Sequence, residues 1–254
     1  MGLFCDKGMT IRKADFTYFL VSEADIHGDE VTFSADESRH ITKVCRMKAG
    51  DTLSATDGEG RLLEVRIESI TKTGVIGQIV RATTQELPTK LCHLAMPIAV
   101  SQKTDWVIEK CTELGVDRFH IFSSEHSTSK SSGSKRLDRC RRVALSAIKQ
   151  SMRRHAPNFE QHESVASLTR VFADYSLVAY GHFDEDTDTL SQLLASDKFD
   201  RILVLVGPEA GFTDEEIQIL KSAGAVAVRY GNHRLRMETA AIVLPTLVIE
   251  SFQK

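Results

Sequence analysis

Two apolar runs near the C-terminal end of the chain, each followed by a loop, constrain the fold more than any other feature. The first run, Ile202–Val206, turns through Gly-Pro-Glu-Ala-Gly-Phe at 207–212. The second, Val226–Tyr230, leads into a polar loop at 231–236. Continuous runs of Val, Ile and Leu are typical of parallel strands that are buried on both faces. The sequence therefore predicts neighbouring strands of an α/β fold.

Helix signals complete two strand–helix units. Thr213 and Glu216 have the spacing of a capping box, and Gly224 stands where that helix would end. Two such units place two loops at the carboxyl edge of one sheet, where open α/β folds bind small molecules. The alternative is that both loops are ordinary turns. The usual nucleotide fingerprints, G-x-G-x-x-G and G-x-x-x-x-G-K-[ST], are absent from the sequence.

The two loops resemble the C-terminal signature of the knotted SPOUT-class RNA methyltransferases, and the resemblance extends over nearly the whole chain from about Ile11. It rests on residues 207–212 and on Leu-Arg-Met-Glu-Thr-Ala at 235–240. Within that class the chain is similar to the branch that makes N3-methyluridine in 16S ribosomal RNA. The resemblance implies a C-terminal parallel-sheet domain with a trefoil knot, although knots are rare exceptions to the rules of chain topology.

The predicted domain plan has four parts. Residues 1–10 are interpreted as an extension, and short strands with turns at 57–60 and 73–74 predict a small β-barrel over 11–83. The resemblance makes this a PUA-like RNA-binding barrel. A linker at 84–90 precedes the methyltransferase domain at 91–254. The expected fold class is thus α/β, with a knotted C-terminal domain and a small N-terminal barrel.

The resemblance implies that S-adenosylmethionine binds in the loops that follow three strands, mostly through backbone groups. The expected cofactor contacts are Tyr180, Leu205, Val206, Gly207, Pro208, Glu209, Gly211, Tyr230, Gly231, Leu235, Met237, Thr239 and Ala240.

Methylation of uridine N3 requires loss of the N3 proton and stabilisation of charge on the uracil oxygens. Arg236 is the leading catalytic candidate, because a guanidinium stays charged and donates hydrogen bonds in a planar fork. Glu238 is expected to orient Arg236 or to act as the base. The alternative is that Arg236 pairs with Glu238 or Glu209 and only fixes the loop.

Two basic helices are candidates for RNA contact, with a solvated polar face as the alternative for each. The first helix is predicted from Ser34 to about Met47, with Ile41, Val44 and Cys45 on its apolar face. The resemblance favours RNA contact for its His40 and Arg46. The second helix spans Lys135–His155, and its positive charges stand out in a chain of net charge −3. Its proposed RNA contacts are Arg139, Arg142, Lys149 and Arg153.

Apolar spacing predicts the buried sides of the remaining helices. On the helix ending at Leu114, the expected buried stripe is Trp106, Val107, Cys111 and Leu114. On the helix 135–155, the core-facing residues are expected to be Leu137, Cys140, Ala144, Ile148 and Met152. The last helix, predicted over 238–252, carries more apolar residues than a surface helix needs. Together with the resemblance, this excess predicts a homodimer.

Composition bounds the remaining possibilities. The five cysteines are scattered without a C-x-x-C pair, which predicts a reducing cytoplasm, no disulfide framework and no zinc. No apolar run approaches membrane-spanning length, so no membrane partner is expected. The expected partner is 16S ribosomal RNA in the small ribosomal subunit. The alternatives are a knotted methyltransferase acting on a ribose 2′-hydroxyl of another RNA, and a non-catalytic ribosome assembly factor.

Overall fold

The computed structural model describes residues 17–97, 101–126, 134–184, 187–195 and 198–253. These residues form two compact units. The first ends at Leu87 and also takes in Ile148–His155, whereas the second comprises Pro88–Ala147 and the chain from Ala156 onward. The predicted extension at 1–10 and the start of the predicted barrel at 11–16 lie outside the described residues.

The first unit is built on six strands and one short helix. They are β1 (Phe19–Leu20), β2 (Ile26–His27), β3 (Glu30–Thr32), α1 (Ala35–Arg39), β4 (Thr52–Thr56), β5 (Arg61–Ile70) and β6 (Val75–Thr84). The spatial order is β1-β4-β5-β6-β3-β2, with only the β1–β4 pair parallel. Along β5, buried Leu63, Val65 and Ile67 alternate with exposed residues, so one face of the sheet forms the core.

The first predicted helix departs from the expected form. Ser34 caps it by accepting a hydrogen bond from the Glu37 backbone N–H, but the α-helix ends at Arg39. A single π-helical segment, His40–Val44, follows. Ile41 is buried as predicted, whereas Val44 is half exposed, so its predicted place on the apolar face was wrong. The wider π turn changes which residues follow Ile41 into the core.

The second unit is built on a six-stranded sheet in which every pairing is parallel. Its strands are β7 (Leu91–Pro97), β8 (Arg118–Phe122), β9 (Asn158–His162), β10 (Leu177–Gly181), β11 (Arg201–Leu205) and β12 (Val226–Val228). The spatial order is β12-β10-β11-β7-β8-β9. The α/β class and the parallel sheet are confirmed, and β11 and β12 match the two apolar runs. The trefoil knot stays a prediction.

Helices cover both faces of this sheet, which explains why its central strands are continuously apolar. The helices are α2 (Ser101–Leu114), α3 (Ser134–Ser151), α4 (Val165–Leu168), α5 (Leu190–Leu193), α6 (Asp214–Ser222) and α7 (Met237–Ser251). Buried residues of α2, α3, α5 and α7 join one core cluster, and those of α4 and α6 join the other. A 3₁₀ segment, Thr169–Asp174, follows α4.

Local signals set the helix ends near the site. Thr213 caps α6 by accepting from the Glu216 backbone N–H, and the Glu216 carboxylate accepts from the Thr213 backbone N–H. Gly224 follows α6 with φ +88°, a left-handed conformation that glycine adopts without a Cβ penalty. The predicted capping box and helix end are therefore confirmed. Helix α7 begins and ends within one residue of its predicted bounds.

Three predicted buried positions on α2 and α3 were wrong. Trp106 is 47% exposed and Leu114 is 41% exposed, although Val107 and Cys111 are fully buried as predicted. The core face of α2 follows Thr104, Val107, Ile108 and Cys111, which places Trp106 on its flank. On α3 the helix ends at Ser151 rather than His155. Met152 has φ +58° and is 41% exposed, because it follows the last helical turn instead of continuing the apolar stripe.

Candidate active site

A cavity of about 330 Å³ lies at the carboxyl ends of β10, β11 and β12. This is the sheet edge at which the sequence places a ligand, and the volume falls in the range of small-molecule sites. The lining residues are Gly181, His182, Phe183, Val206, Gly207, Pro208, Glu209, Ala210, Gly211, Phe212, Val228, Arg229, Tyr230, His233, Arg234, Leu235, Met237, Ala240 and Leu244.

Most of the residues predicted to contact a cofactor line this cavity. They are Val206, Gly207, Pro208, Glu209, Gly211, Tyr230, Leu235, Met237 and Ala240. Tyr180, Leu205, Gly231 and Thr239 do not line it. Tyr180 and Leu205 are fully buried in the core cluster on the α4 and α6 side of the sheet, because neighbouring residues of a strand point to opposite faces.

Sequence reasoning missed several lining residues. Gly181, His182 and Phe183 lie at or just after the end of β10. The one feature of the sequence that indicated them was that β10 ends at the same sheet edge as β11 and β12. Leu244 lies one helical turn beyond Ala240 on α7, so helical spacing extends that face of the helix to it. Phe212 belongs to the same loop as Gly207, but nothing in the sequence gives the direction of its ring.

Two glycines allow close packing around the cavity. A Cβ at Gly207 would lie 3.0 Å from the Phe212 ring, and a Cβ at Gly181 would lie 3.3 Å from Leu244 Cδ1. Both distances are tighter than ordinary van der Waals contact. Any larger residue at Gly207 would displace the aromatic ring from the cavity wall. Glycine at these strand ends therefore sets the shape of the cavity.

Hydrogen bonds hold the loop after β12. The Arg229 guanidinium donates from Nε to the Thr187 carbonyl at 2.6 Å, and from Nη1 to the Gly231 carbonyl at 2.9 Å and to Asn232 Oδ1 at 3.0 Å. Arg234 Nη2 lies 3.4 Å from the Glu209 carbonyl oxygen, which places the two loops side by side. Arg229 thus has a structural part in the site that its position in the sequence did not indicate.

The two predicted catalytic residues differ in environment. Arg236 is the exposed N-cap residue of α7, between the lining residues Leu235 and Met237. Its guanidinium makes no hydrogen bond or ion pair with any residue that the structure describes, although its backbone carbonyl accepts from the Ala240 N–H. The Glu238 side chain is only 13% exposed, and its Oε1 lies 3.5 Å from Lys103 Nζ. Glu238 Oε2 is buried without a hydrogen-bond partner among the described residues.

Lys103 connects the two acidic residues of the site. Its Nζ donates a hydrogen bond to Glu209 Oε1 and also faces Glu238. The hydrogen bond with Glu209 raises the pKa of Lys103 above its ordinary value. The expected alternative partners of Arg236, Glu238 and Glu209, are therefore both paired with Lys103. Sequence reasoning missed Lys103 because α2 is distant from both loops along the chain.

The predicted RNA contacts on α3 are not equivalent. Arg139 makes a bidentate pair with Asp105, with Nε 3.0 Å from Oδ1 and Nη2 2.5 Å from Oδ2. Arg142 is exposed, and its one side-chain hydrogen bond to a described residue is a weak 3.4 Å bond to the Asp138 carbonyl. Arg153 is half-buried beyond the end of the helix.

The predicted RNA contacts of the first unit also differ in exposure. Lys149 Nζ lies 2.5 Å from Glu37 Oε1, and the Lys149 side chain is only 18% exposed. His40 is half-buried, and its ring lies 5.3 Å from that of Phe19. Arg46 is exposed and has φ +55°, in the left-handed region. Of these three side chains, Arg46 is the one most open to a phosphate.

Comparisons with known proteins agree with this architecture. A model described as an RNA methyltransferase domain matches residues 85–249, and one described as an RNA methyltransferase PUA domain matches residues 33–80. The parallel sheet, the strand-end cavity and these two matches define the chain as an RNA methyltransferase with an N-terminal PUA domain.

Curated relatives identify the family. Ribosomal RNA small subunit methyltransferase E of Mycobacterium bovis is 30% identical, over 89% of this chain and 88% of that protein. The Bacillus subtilis protein of the same name is 29% identical, over 83% and 87%. The chain therefore belongs to the ribosomal RNA small subunit methyltransferase E family. The crystal structure of the Neisseria gonorrhoeae family member, bound to S-adenosyl methionine, has the same fold, with a TM-score of 0.80, 24% identity and coverage of 94% and 97%.

Proposed function

We propose that this chain transfers a methyl group from S-adenosylmethionine to N3 of a specific uridine in 16S ribosomal RNA, on the small ribosomal subunit. The observation that carries the proposal is the strand-end cavity of a chain in this family. Nine of the thirteen residues that the resemblance assigns to the cofactor line that single cavity. Family membership supports the ribosomal RNA substrate.

The cavity fits the proposed cofactor. Val206, Val228, Leu235, Met237 and Leu244 give it apolar walls, which suit the faces of an adenine ring. Close packing at Gly207 and Gly181 brings strand-end backbone to the cavity surface, where N–H and C=O groups can bond adenine and ribose. When bound, S-adenosylmethionine supplies a methyl group on a positively charged sulfur.

The residues of this chain must align the uracil and stabilise the charge that forms on it. We assign this role to Arg236, and two observations support it: Arg236 is exposed beside the cavity, and no described residue neutralises its guanidinium. In this assignment it donates hydrogen bonds to a uracil oxygen as N3 loses its proton. Glu238 stays the second candidate, either as the base or as a group that fixes the start of α7. Its contact with Lys103 supports the positioning role.

We also propose which parts of the chain bind RNA and which part binds the cofactor. The PUA-like barrel, predicted over 11–83, binds RNA through His40 and Arg46, and α3 contributes Arg139, Arg142, Lys149 and Arg153. The domain at 91–254, after the linker at 84–90, carries the cofactor within a trefoil knot. Exposure of Arg142 and Arg46 supports phosphate contact at these two positions most strongly.

We propose that the active form is a cytoplasmic homodimer. Ile242, Val243 and Leu247 of α7 stay partly exposed, and Trp106 and Leu114 of α2 are more exposed still. Apolar side chains at these positions support an interface between two copies. None of the four described cysteines, Cys45, Cys92, Cys111 and Cys140, forms a disulfide, which supports a reducing compartment. No described helix is long and apolar enough to cross a membrane.

Nucleoside analysis of 16S ribosomal RNA tests the function. A strain that lacks the gene should lose one N3-methyluridine, and wild-type protein should restore it, whereas the Arg236→Ala variant should restore little. A ribose-methylated nucleoside lost in its place would assign the protein to another target. Unchanged nucleosides, together with no S-adenosylmethionine binding by calorimetry, would favour a non-catalytic assembly factor.

A further inference from the structure

A cluster of metal-binding side chains lies on the sheet of the second unit, outside the lining of the strand-end cavity. His120 of β8 pairs in register with Glu160 of the edge strand β9, and His162 stands two residues further along β9. Because side chains alternate along a strand, Glu160 and His162 project from the same face as His120. Strand register therefore fixes two imidazoles and one carboxylate beside each other.

The distances between their donor atoms are close to those that a metal ion requires. His120 Nδ1 lies 2.9 Å from His162 Nε2 and 3.6 Å from Glu160 Oε2, and Glu160 Oε1 lies 3.8 Å from His162 Nε2. Ligands around a tetrahedral zinc ion with bonds of about 2.0–2.1 Å stand about 3.4 Å apart. Shifts of about half an ångström in each pair would therefore bring all three donors to zinc distance.

A second group of residues orients His120 as a ligand. Tyr175 Oη lies 2.7 Å from His120 Nε2 and 2.7 Å from His93 Nδ1. Two arrangements satisfy both bonds, and in one of them His120 Nε2–H donates to Tyr175, whose hydroxyl donates to His93. That arrangement leaves a lone pair on His120 Nδ1, the atom that faces His162 and Glu160. Metal-binding histidines regularly have their other ring nitrogen held in this way.

The two imidazoles are buried, whereas the carboxylate is partly exposed. His120 is fully buried and His162 is 7% exposed. Glu160 is 41% exposed at the edge of the sheet, which gives an ion a path to the site.

We propose that His120, His162 and Glu160 form a binding site for one divalent transition-metal ion, and that zinc is the ion best matched to them. Two imidazoles and a carboxylate are a ligand set that zinc sites use, with a fourth position left for water. Glu160 Oε2 also lies 3.4 Å from Arg118 Nη1, so this exposed ion pair gives way when the metal binds. The ion would join the edge strand β9 to β8.

No zinc was expected from the sequence, because the cysteines form no C-x-x-C pair. The proposed site contains no cysteine, so that pattern could not reveal it. The histidines stand on two separate strands, and β9 itself was not predicted, because Asn-Phe-Glu-Gln-His has no apolar run. Because β9 was not predicted, nothing in the sequence placed Glu160 and His162 on the same sheet face as His120. Parallel pairing of β8 and β9 brings the three residues together.

The test uses untagged, full-length protein freed of metal with a chelator. Titration with zinc chloride by calorimetry should show one ion per chain, and the melting temperature should rise with zinc concentration, since the ion binds the folded state. Cobalt(II) should give the visible absorption of a tetrahedral site with nitrogen and oxygen ligands. A thiolate charge-transfer band would place the metal on a cysteine and overturn the proposal.

Variants identify the ligands. Glu160→Gln, at a partly exposed position that tolerates the change, and His162→Asn should each weaken zinc binding at least about tenfold. Tyr175→Phe should weaken it about tenfold through the loss of orientation. Glu163→Gln is the matched control, because Glu163 is an exposed carboxylate directly after β9 that is not one of the three ligands, and it should change affinity less than about twofold. Absence of zinc uptake by the wild type, wild-type affinity in Glu160→Gln, or equal loss in Glu163→Gln and Glu160→Gln would each contradict the site.

Discussion

Lys103 Nζ lies 3.5 Å from Glu238 Oε1, and this contact ties the start of α2 to the first turn of α7. The same ammonium group bonds Glu209 in the loop after β11. One positive charge therefore contacts two of the segments that surround the cavity. Since Glu238 Oε2 has no hydrogen-bond partner among the described residues, Lys103 is also the group that offsets the cost of holding this carboxylate in a largely buried position.

Lys103→Met should weaken S-adenosylmethionine binding about fivefold, because the loop at 207–211 loses its contact with α2 and α7. The effect stays modest since Lys103 is partly exposed and solvent screens its charge. Lys110→Met is the matched control. Lys110 is on the same helix, is equally exposed and, within the described part of the chain, pairs with Glu109 and Glu113 of its own helix. Calorimetric titration of both variants with S-adenosylmethionine measures the difference. Equal affinities would show that Lys103 does not contribute to cofactor binding.

Arg236→Ala should slow methyl transfer about a hundredfold or more and change S-adenosylmethionine affinity by less than about twofold. The reason is that charge develops on the uracil in the transition state, and loss of one fixed donor of this kind typically has such a cost. Arg236→Lys should recover part of the rate, since an ammonium group cannot reproduce the planar fork. Single-turnover rates and cofactor titrations on the same preparations separate the two quantities.

Arg234→Ala is the control for that experiment. Arg234 is an exposed arginine two positions away, it lines the cavity, and its guanidinium lies against the Glu209 carbonyl. It should affect cofactor binding more than Arg236→Ala does, and the rate of the bound complex less. Wild-type methylation by Arg236→Ala would make Arg236 structural and would move the catalytic assignment to Glu238.

Prediction from sequence succeeded where one local pattern decides the structure. The runs at β11 and β12 and the capping box of α6 have strong signals within a few residues, and these elements formed as expected. It failed where the outcome depends on tertiary pairing. Strand β9 is polar and is held at the sheet edge by β8, and Lys103 reaches Glu209 and Glu238 only after the chain has folded.

The contrast between Tyr180 and Val206 shows the same limit inside the site. The resemblance assigned both to the cofactor because both stand where a strand ends. Val206 lines the cavity, whereas the Tyr180 ring packs on the opposite side of the sheet near Phe212. A one-residue difference in position along a strand reverses the side of the sheet, and a motif without its register cannot supply that information.

Lys149→Met should lower the free energy of unfolding by roughly 1–3 kcal/mol, because Glu37 would be left as a largely buried carboxylate without its partner. The Glu37 and Lys149 side chains are 10% and 18% exposed. The double variant Glu37→Gln with Lys149→Met should recover part of the lost stability, since no buried carboxylate is then left without an oppositely charged partner. Arg142→Met, an exposed change on the same helix, should have little effect. Chemical denaturation measures the stability of all three variants. If Lys149→Met is as stable as the wild type, the pair with Glu37 does not stabilise the fold, and RNA contact is left as the proposed role of Lys149.

Arg142→Glu should weaken RNA binding and reduce the slope of log K against log salt by about one, because an exposed guanidinium that contacts phosphate releases about one counterion. Arg139→Glu should reduce the slope less. Its guanidinium is already bonded to Asp105, so in the wild type it neutralises that carboxylate before it can neutralise a phosphate.

The comparison with Asp105→Asn makes the test sharper, since freeing Arg139 from its partner should steepen the salt dependence. Filter binding of a 16S ribosomal RNA fragment across a salt series gives the three slopes, and cofactor affinity should stay unchanged, because neither arginine lines the cavity. A slope equal to wild type in Arg142→Glu would mean that this face of α3 is only solvated.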